Sequence, residues 1–239
     1  MAVFLWVATS GCGDNATPPS ENGLLQIDGL AYQGAFRISS ADFGVSSTNY
    51  AIGTLAYNAK NHSLFIAGHD HHRAIGEFAI PALRSDSDLQ ALNVVEQARQ
   101  PFVSLLDRSP TGNPEDLNRI TGLLVVDGQL LINAEQWYDA AGDNRDTTLV
   151  VRDADDLATA AVDGYFELNG AARAAGYMAP IPSQWRGELG ADYLTGWSSV
   201  YSIISRYSVG PSLYLFDPAD MLNAAAGSGK TTLLASWLA

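Results

Sequence analysis

The stretch Ile120-Thr-Gly-Leu-Leu-Val-Val-Asp-Gly-Gln-Leu-Leu-Ile-Asn-Ala134 decides the fold class. Two runs rich in aliphatic residues flank Asp127-Gly128. That pair is a strong hairpin signal, because both central residues of the favoured two-residue turn need positive φ. Downstream, the polar loop Glu135-Gln-Trp-Tyr-Asp-Ala-Ala-Gly-Asp-Asn-Arg-Asp146 leads to a third run, Thr147-Thr-Leu-Val-Val-Arg152. Asp153-Ala-Asp-Asp-Leu157 then closes the unit.

The same grammar stands upstream. Gly53-Thr-Leu-Ala-Tyr57, a turn at Asn58-Ala-Lys-Asn61 and Ser63-Leu-Phe-Ile-Ala-Gly68 come first. His69-Asp-His-His-Arg73 and Ala74-Ile-Gly-Glu-Phe-Ala-Ile80 follow, and Pro81 stops the run. A third copy shows only its last strand, Ser212-Leu-Tyr-Leu-Phe216, closed by Asp217-Pro-Ala-Asp-Met221. The closing segments that run to Leu83, Leu157 and Met221 are versions of one another. Leu30-Ala-Tyr-Gln-Gly-Ala-Phe-Arg-Ile38 reads as one more strand.

One meander cannot bury both of its faces, so such units must stack on neighbours. The expected fold is therefore all-β: β-propeller-like stacked antiparallel meanders forming an incomplete ring, with a two-sheet sandwich as the competing arrangement. Short helical insertions are expected at Ser87-Asp-Leu-Gln-Ala-Leu-Asn-Val-Val-Glu96, at Ala171-Ala-Arg-Ala-Ala175 and at Pro182-Ser-Gln-Trp-Arg-Gly-Glu-Leu189, the last with Ser183 as its cap. Residues 24–222 hold about three repeat units.

The 239 residues are 47% hydrophobic and carry 26 Asp and Glu against 13 Lys and Arg, a net charge of −13. Such a surface repels phosphate backbones and argues against a nucleic-acid partner. The single cysteine, Cys12, excludes an intrachain disulfide. It follows the apolar run Ala2-Val-Phe-Leu-Trp-Val-Ala8 and the small residues Ser10-Gly11, and precedes a polar stretch with Pro18-Pro19. That order resembles a bacterial lipoprotein signal and tether over residues 1–23, with Cys12 as the lipidated residue. The alternative is an N-terminal strand with a buried cysteine. The lipoprotein reading implies export to the cell envelope and a membrane contact only through the lipid anchor.

The chain resembles β-propeller proteins, and more narrowly bacterial exported propeller-like proteins. The resemblance rests on residues 63–81, on Gly176-Tyr-Met-Ala-Pro-Ile-Pro-Ser-Gln-Trp185 and on the stretches from Leu194 to Ser199 and from Ile203 to Pro218. It implies a fold and an envelope address, and brings no catalytic residues with it. In the tail, Ala224-Ala-Ala-Gly-Ser-Gly-Lys-Thr231 fits a relaxed phosphate-loop spacing. The last residues resemble the loop and first helix of maltose-regulator-type ATPases. In that motif Lys230 and the backbone amides would cradle phosphates and Thr231 would hold Mg²⁺. Asp217-Pro-Ala-Asp-Met-Leu-Asn223 stands where a buried strand should lead in, and at best one helix, Thr231–Ala239, follows. Residues 223–239 are therefore read as a linker, a junction or the start of a further unit, and no nucleotide cofactor is expected.

Two clusters are candidates for chemistry. His69, His71 and His72 could bind a divalent metal, Zn²⁺ or Ca²⁺, if an extended backbone put His69 and His71 on one face and Asp70 or a neighbouring carboxylate completed the site. A solvated polar turn is the simpler explanation of the cluster. Glu135, Trp137, Tyr138 and Asp139 form an aromatic-acidic patch of the kind that stacks on a sugar ring and fixes its hydroxyls. His69 and Glu135 follow equivalent strands, so both should emerge on the same rim. Asp143-Asn-Arg-Asp146 and Asp153-Ala-Asp-Asp156 lack the full calcium-loop spacing. Ser198, beside Trp197, has no assignable base and no nucleophile elbow around it, and Arg206 suggests no further chemistry. The expectation is a binding or scaffold protein for a small molecule, glycan or protein ligand. The alternative is an envelope hydrolase or lyase using rim carboxylates.

Overall fold

Asp127 and Gly128 have φ of 49° and 76°, the primed turn that matches strand twist. They join the strands Arg119–Val126 and Gln129–Glu135. The computed structural model describes residues 2–8, 29–139, 143–196, 213–224 and 235–237. In chain order the first strands are β1 (Ala2–Ala8), β2 (Leu30–Ile38), β3 (Leu55–Asn58), β4 (Ser63–Ala67) and β5 (Ala74–Ala79). Next come β6 (Val94–Val95), β7 (Gln100–Ser104), β8 (Arg119–Val126), β9 (Gln129–Glu135) and β10 (Asp146–Val151). The last are β11 (Val162–Glu167), β12 (Met178–Pro180), β13 (Tyr193–Gly196), β14 (Leu213–Phe216) and β15 (Ala235–Trp237).

These strands form three successive four-stranded sheets, β3-β4-β5-β7, β8-β9-β10-β11 and β12-β13-β14-β15, each antiparallel throughout. A three-stranded sheet, β1-β2-β6, precedes them. Its β1 pairs antiparallel with β2 from Ala2↔Arg37 to Ala8↔Leu30, while β2 and β6 run parallel. The fold is all-β, and among the described residues no sheet closes on itself.

Period-two alternation builds the stack, because successive side chains in a strand point to opposite faces. In β4, Leu64 and Ile66 join Phe36 and Ile38 of β2 in one buried cluster, whereas Phe65 and Ala67 turn the other way. There they meet Leu130 and Ile132 of β9 and Leu149 and Val151 of β10. The opposite face of that second sheet gives Leu131 and Val150 to a third cluster with Tyr214 and Phe216 of β14. The central strands β4, β9 and β10 are thus buried on both sides, which is why they read as near-continuous apolar runs.

The closing segments share a structural role. Leu83, Leu157 and Met221 each pack into the buried cluster on the leading face of their own sheet. The first strands β3 and β8 lie side by side, as do β8 and β12. The Thr54 hydroxyl donates to the Ile120 carbonyl at 3.1 Å across the first of these junctions.

The helical insertions are shorter than expected. Residues Leu89–Ala91 form a single 3-10 turn capped by Asp88, and Val94-Val95 turns into strand by pairing with β2. A 3-10 turn occupies Ala171–Ala174. Helix α1 (Ser183–Leu189) takes Ser183 as its first residue, and Pro182 holds the cap position without a side-chain bond. Helix α2 (Ala219–Asn223) follows β14. The end of the tail is also corrected, since Ala235–Trp237 pairs with β14 as a strand instead of continuing a helix. No helix among the described residues is long and apolar enough to cross a membrane.

Candidate functional site

The turn after β4 and the start of β8 meet at the rim. His69 leads into the 3-10 turn Asp70–His72, and Arg73 ends it in the left-handed region at φ 52°. That geometry swings Asp70 toward the second sheet. Arg119, the first residue of β8, clasps its carboxylate with Nε donating to Oδ1 at 3.0 Å and Nη2 to Oδ2 at 2.5 Å. Both side chains are partly buried, and the fork-to-fork pair is geometrically specific. The same guanidinium lies over Trp137, its carbon 5.5 Å from the ring centroid, close enough for a cation–π contact. Trp137 is held in turn by its backbone N–H, which donates to Asn118 Oδ1 at 2.8 Å.

Asp70, His71, Arg73, Asp116, Asn118, Arg119 and Trp137 line an open cleft of about 510 Å³, a volume suited to a small ligand. Its lining carries two carboxylates and two guanidiniums, whose formal charges cancel. A second cleft of about 330 Å³ runs along the first strands between Ile52, Leu55, Leu123, Tyr177 and Met178. Arg119 lines both clefts.

Glu135 is the cross-strand partner of Arg119. It is 2% exposed, and its Oε1 has no hydrogen-bond partner among the described residues. Burial pushes its carboxyl up to about 8; the Arg119 charge opposes that shift and the Asp70 charge adds to it. An acid in such a place keeps its proton at neutral pH.

No protein-family model, curated protein or solved structure matches this chain.

Of the aromatic-acidic patch, Trp137 lines the rim cleft, Tyr138 stands exposed at its edge of the loop, and Glu135 lies buried at the end of β9. Asp139 is turned into its own loop, where the carboxylate accepts the backbone N–H groups of Asp143 and Asn144, both at 3.2 Å. Asp139 is not among the residues that line the cleft. His69 follows β4 and Glu135 ends β9, the second strands of their sheets, and the Asp70–Arg119 pair joins their neighbourhoods.

The histidine expectation is corrected. The backbone at 70–72 is a 3-10 turn instead of an extended strand, so His69 and His71 do not share a strand face. His69 Nδ1 accepts the backbone N–H of His71 at 3.2 Å. The His69 ring stacks on His72 with centroids 4.4 Å apart, and His72 Nδ1 meets Ser46 Oγ at 3.1 Å. Among the described residues no three His, Cys, Asp or Glu side chains gather as a metal group. The acidic loops are likewise engaged: Asp155 pairs with Lys60 and Asn61, and Asp156 binds Thr159. Glu115 accepts the backbone N–H groups of Arg145 and Asp146.

Cys12, Trp197, Ser198, Arg206, Lys230 and Thr231 lie outside the described residues. Sequence reading missed Arg119, Asn118, Arg73 and Asp116. The available signal was Arg119 itself, a lone cation opening an otherwise apolar strand.

Proposed function

We propose that the three four-stranded meanders are blades of a β-propeller-like, incomplete ring, and that the chain is an exported binding module whose rim cleft takes a hydroxyl-rich ligand of the glycan class. The adjacency of the first strands β3, β8 and β12 supports the blade reading, since radial stacking brings first strands together around an axis. The observation that carries the binding reading is the fixed Asp70–Arg119–Trp137 assembly at the mouth of a 510 Å³ cleft. The partly exposed Trp137 indole offers the ring surface that Arg119 does not cover, and the Arg119 Nη1 and Asn118 amide groups offer donors to hydroxyls. Screening a panel of soluble oligosaccharides by calorimetry tests it. A bound oligosaccharide should lose at least about tenfold in affinity with Trp137→Ala; no binder in the panel, or a binder indifferent to Trp137→Ala, removes the reading.

Hydrolase or lyase chemistry is the second reading, favoured by Glu135 alone, because a buried acid protonated at neutral pH suits general-acid work. The binding reading is preferred because Asp70, the nearest second carboxylate, is committed to Arg119. The envelope address rests on the Cys12 context, and radiolabelled or click-labelled fatty acid incorporation into the precursor, abolished by Cys12→Ala, is its test. Equal labelling of both forms would remove the anchor.

A further inference from the structure

We propose that Glu135 and Asp70 compete for the Arg119 guanidinium, so that loss of the Glu135 proton draws Arg119 off Asp70 and Trp137 and releases the Asp70–His72 turn from the second sheet. Arg119 and Glu135 are direct cross-strand partners, and such pairs project from the same face of a sheet within reach of each other. Arg119 is instead bonded through two of its nitrogens to Asp70, which lies 49 residues away in sequence. Glu135 is left 2% exposed with Oε1 unpartnered.

That arrangement is tenable only while Glu135 is uncharged. A neutral acid buried without a partner loses one hydrogen bond, whereas a buried carboxylate without a partner is far more costly. Once the proton leaves, the nearest cation is the guanidinium on the adjoining strand, and Asp70 is the rival that can better bear its loss. Asp70 is partly exposed and sits in a turn beside solvent, so it can be rehydrated. Glu135 cannot. The charged groups that act on Glu135 are Arg119 from β8, which favours ionisation, and Asp70 from the turn, which opposes it. His71, Arg73 and Asp116 border the cleft above the pair.

The consequence is a rim whose shape depends on one proton. With Glu135 protonated, Arg119 holds Asp70 down and roofs Trp137. With Glu135 ionised, the indole face is uncovered and the turn is free of its ion pair. This goes beyond the glycan reading and does not depend on it.

Trp137 itself is the reporter, because a guanidinium leaving its ring changes the indole emission. Five tryptophans are present, so the Trp137 signal is the difference between the wild-type chain and Trp137→Phe, titrated from about pH 6 to about pH 9.5, below tyrosine ionisation. The expected result is one reversible transition centred near pH 8, absent in Glu135→Gln. In Asp70→Asn the rival charge is gone, and the midpoint should fall by at least about one pH unit. This arm stands even if Glu135→Gln does not fold. A flat wild-type titration, a transition that persists in Glu135→Gln, or a midpoint unmoved in Asp70→Asn overturns the proposal.

Discussion

Gly122 in β8 faces the backbone of Gly176 so closely that a Cβ built on it would stand 2.0 Å from the Gly176 carbonyl oxygen. The approach is fastened on one side by Thr121, whose hydroxyl donates to the Ala175 carbonyl. On the other, the Asn133 amide donates to the Gly176 carbonyl at 2.9 Å. The second sheet therefore touches the segment that leads into β12 through backbone here. Gly122→Ala should cost about 3 kcal/mol, because the obstacle is a carbonyl that cannot rotate away as a side chain can. Urea unfolding measures it, and a loss below about 1 kcal/mol would show that the segment at 174–176 yields freely.

The same substitution at Gly128 tests different physics. An added Cβ would meet nothing within 4 Å, but the residue sits at φ 76°. Gly128→Ala should therefore cost only about 1 kcal/mol, all of it backbone strain. Comparing the two alanine variants in one denaturation series separates steric contact from conformation. Equal losses would contradict the assignment of Gly122 to close approach.

The central strands were legible because their signals are local: Asp127-Gly128 and the apolar runs beside it need no partner to be read. The fourth strands were not. Gln100–Ser104 contains Pro101, and Val162–Glu167 contains Gly164 at φ 130°, so each owes its strand conformation to the neighbour it pairs with. The same divide runs through the site. Trp137 was readable from its loop, whereas the Asp70–Arg119 pair joins positions 49 apart and has no sequence signature. A loop carboxylate such as Asp139 looks the same in sequence whether it faces solvent or, as here, accepts two backbone N–H groups of its own loop. An extended chain would put His69 and His71 on one face, but the backbone turns at Asp70–His72 and ends in the left-handed Arg73.

Asn133 is fully buried and satisfied on every side. Its amide nitrogen donates to the carbonyls of Ala174 and Gly176 and to Thr195 Oγ1, and its oxygen accepts from Thr148 Oγ1 at 2.7 Å. Asn133→Leu should cost on the order of 3 kcal/mol, because it strands several buried partners at once. Combined with Thr195→Val it should cost less than the sum of the two, since both remove parts of one network. Strict additivity in the double-mutant cycle would mean that the two groups act independently.

Glu135 sets a pH dependence of stability whose sign is fixed. Its carboxyl is raised from 4.5 to about 8 in the folded chain. Between those values the folded state binds the extra proton, so its stability contribution is whole below about 4.5 and is lost as pH rises to about 8. The loss is on the order of 5 kcal/mol at about 1.4 kcal/mol per pKa unit. Glu135→Gln should flatten that slope and be more stable than the wild type at pH 9. Parallel slopes for the two proteins across this window would place the carboxyl's titration elsewhere.

Arg152 links the second sheet to the helix that closes the third. Its Nε pairs with Asp163. Its Nη1 donates to Gln129 Oε1 at 2.9 Å and to the Met221 and Leu222 carbonyls at 3.0 Å and 2.8 Å. Nη2 reaches the Ala224 carbonyl at 2.8 Å. Those carbonyls belong to the end of α2, where the helix has no further N–H groups to offer them. Removing the cation would also leave Asp163, with a side chain 6% exposed and Oδ1 already unpartnered, as an uncompensated buried charge. Arg152→Leu should therefore cost about 3–5 kcal/mol. Arg152→Lys should recover part of that by pairing with Asp163, yet it should fail to hold the helix end, because one ammonium cannot span both the carboxylate and three carbonyls. Hydrogen exchange separates the two effects: in Arg152→Lys the amides of α2 should exchange faster while those of β9 and β10 stay protected. Unchanged exchange in α2 would show that Met221, buried at 1% exposure, holds that helix without the guanidinium.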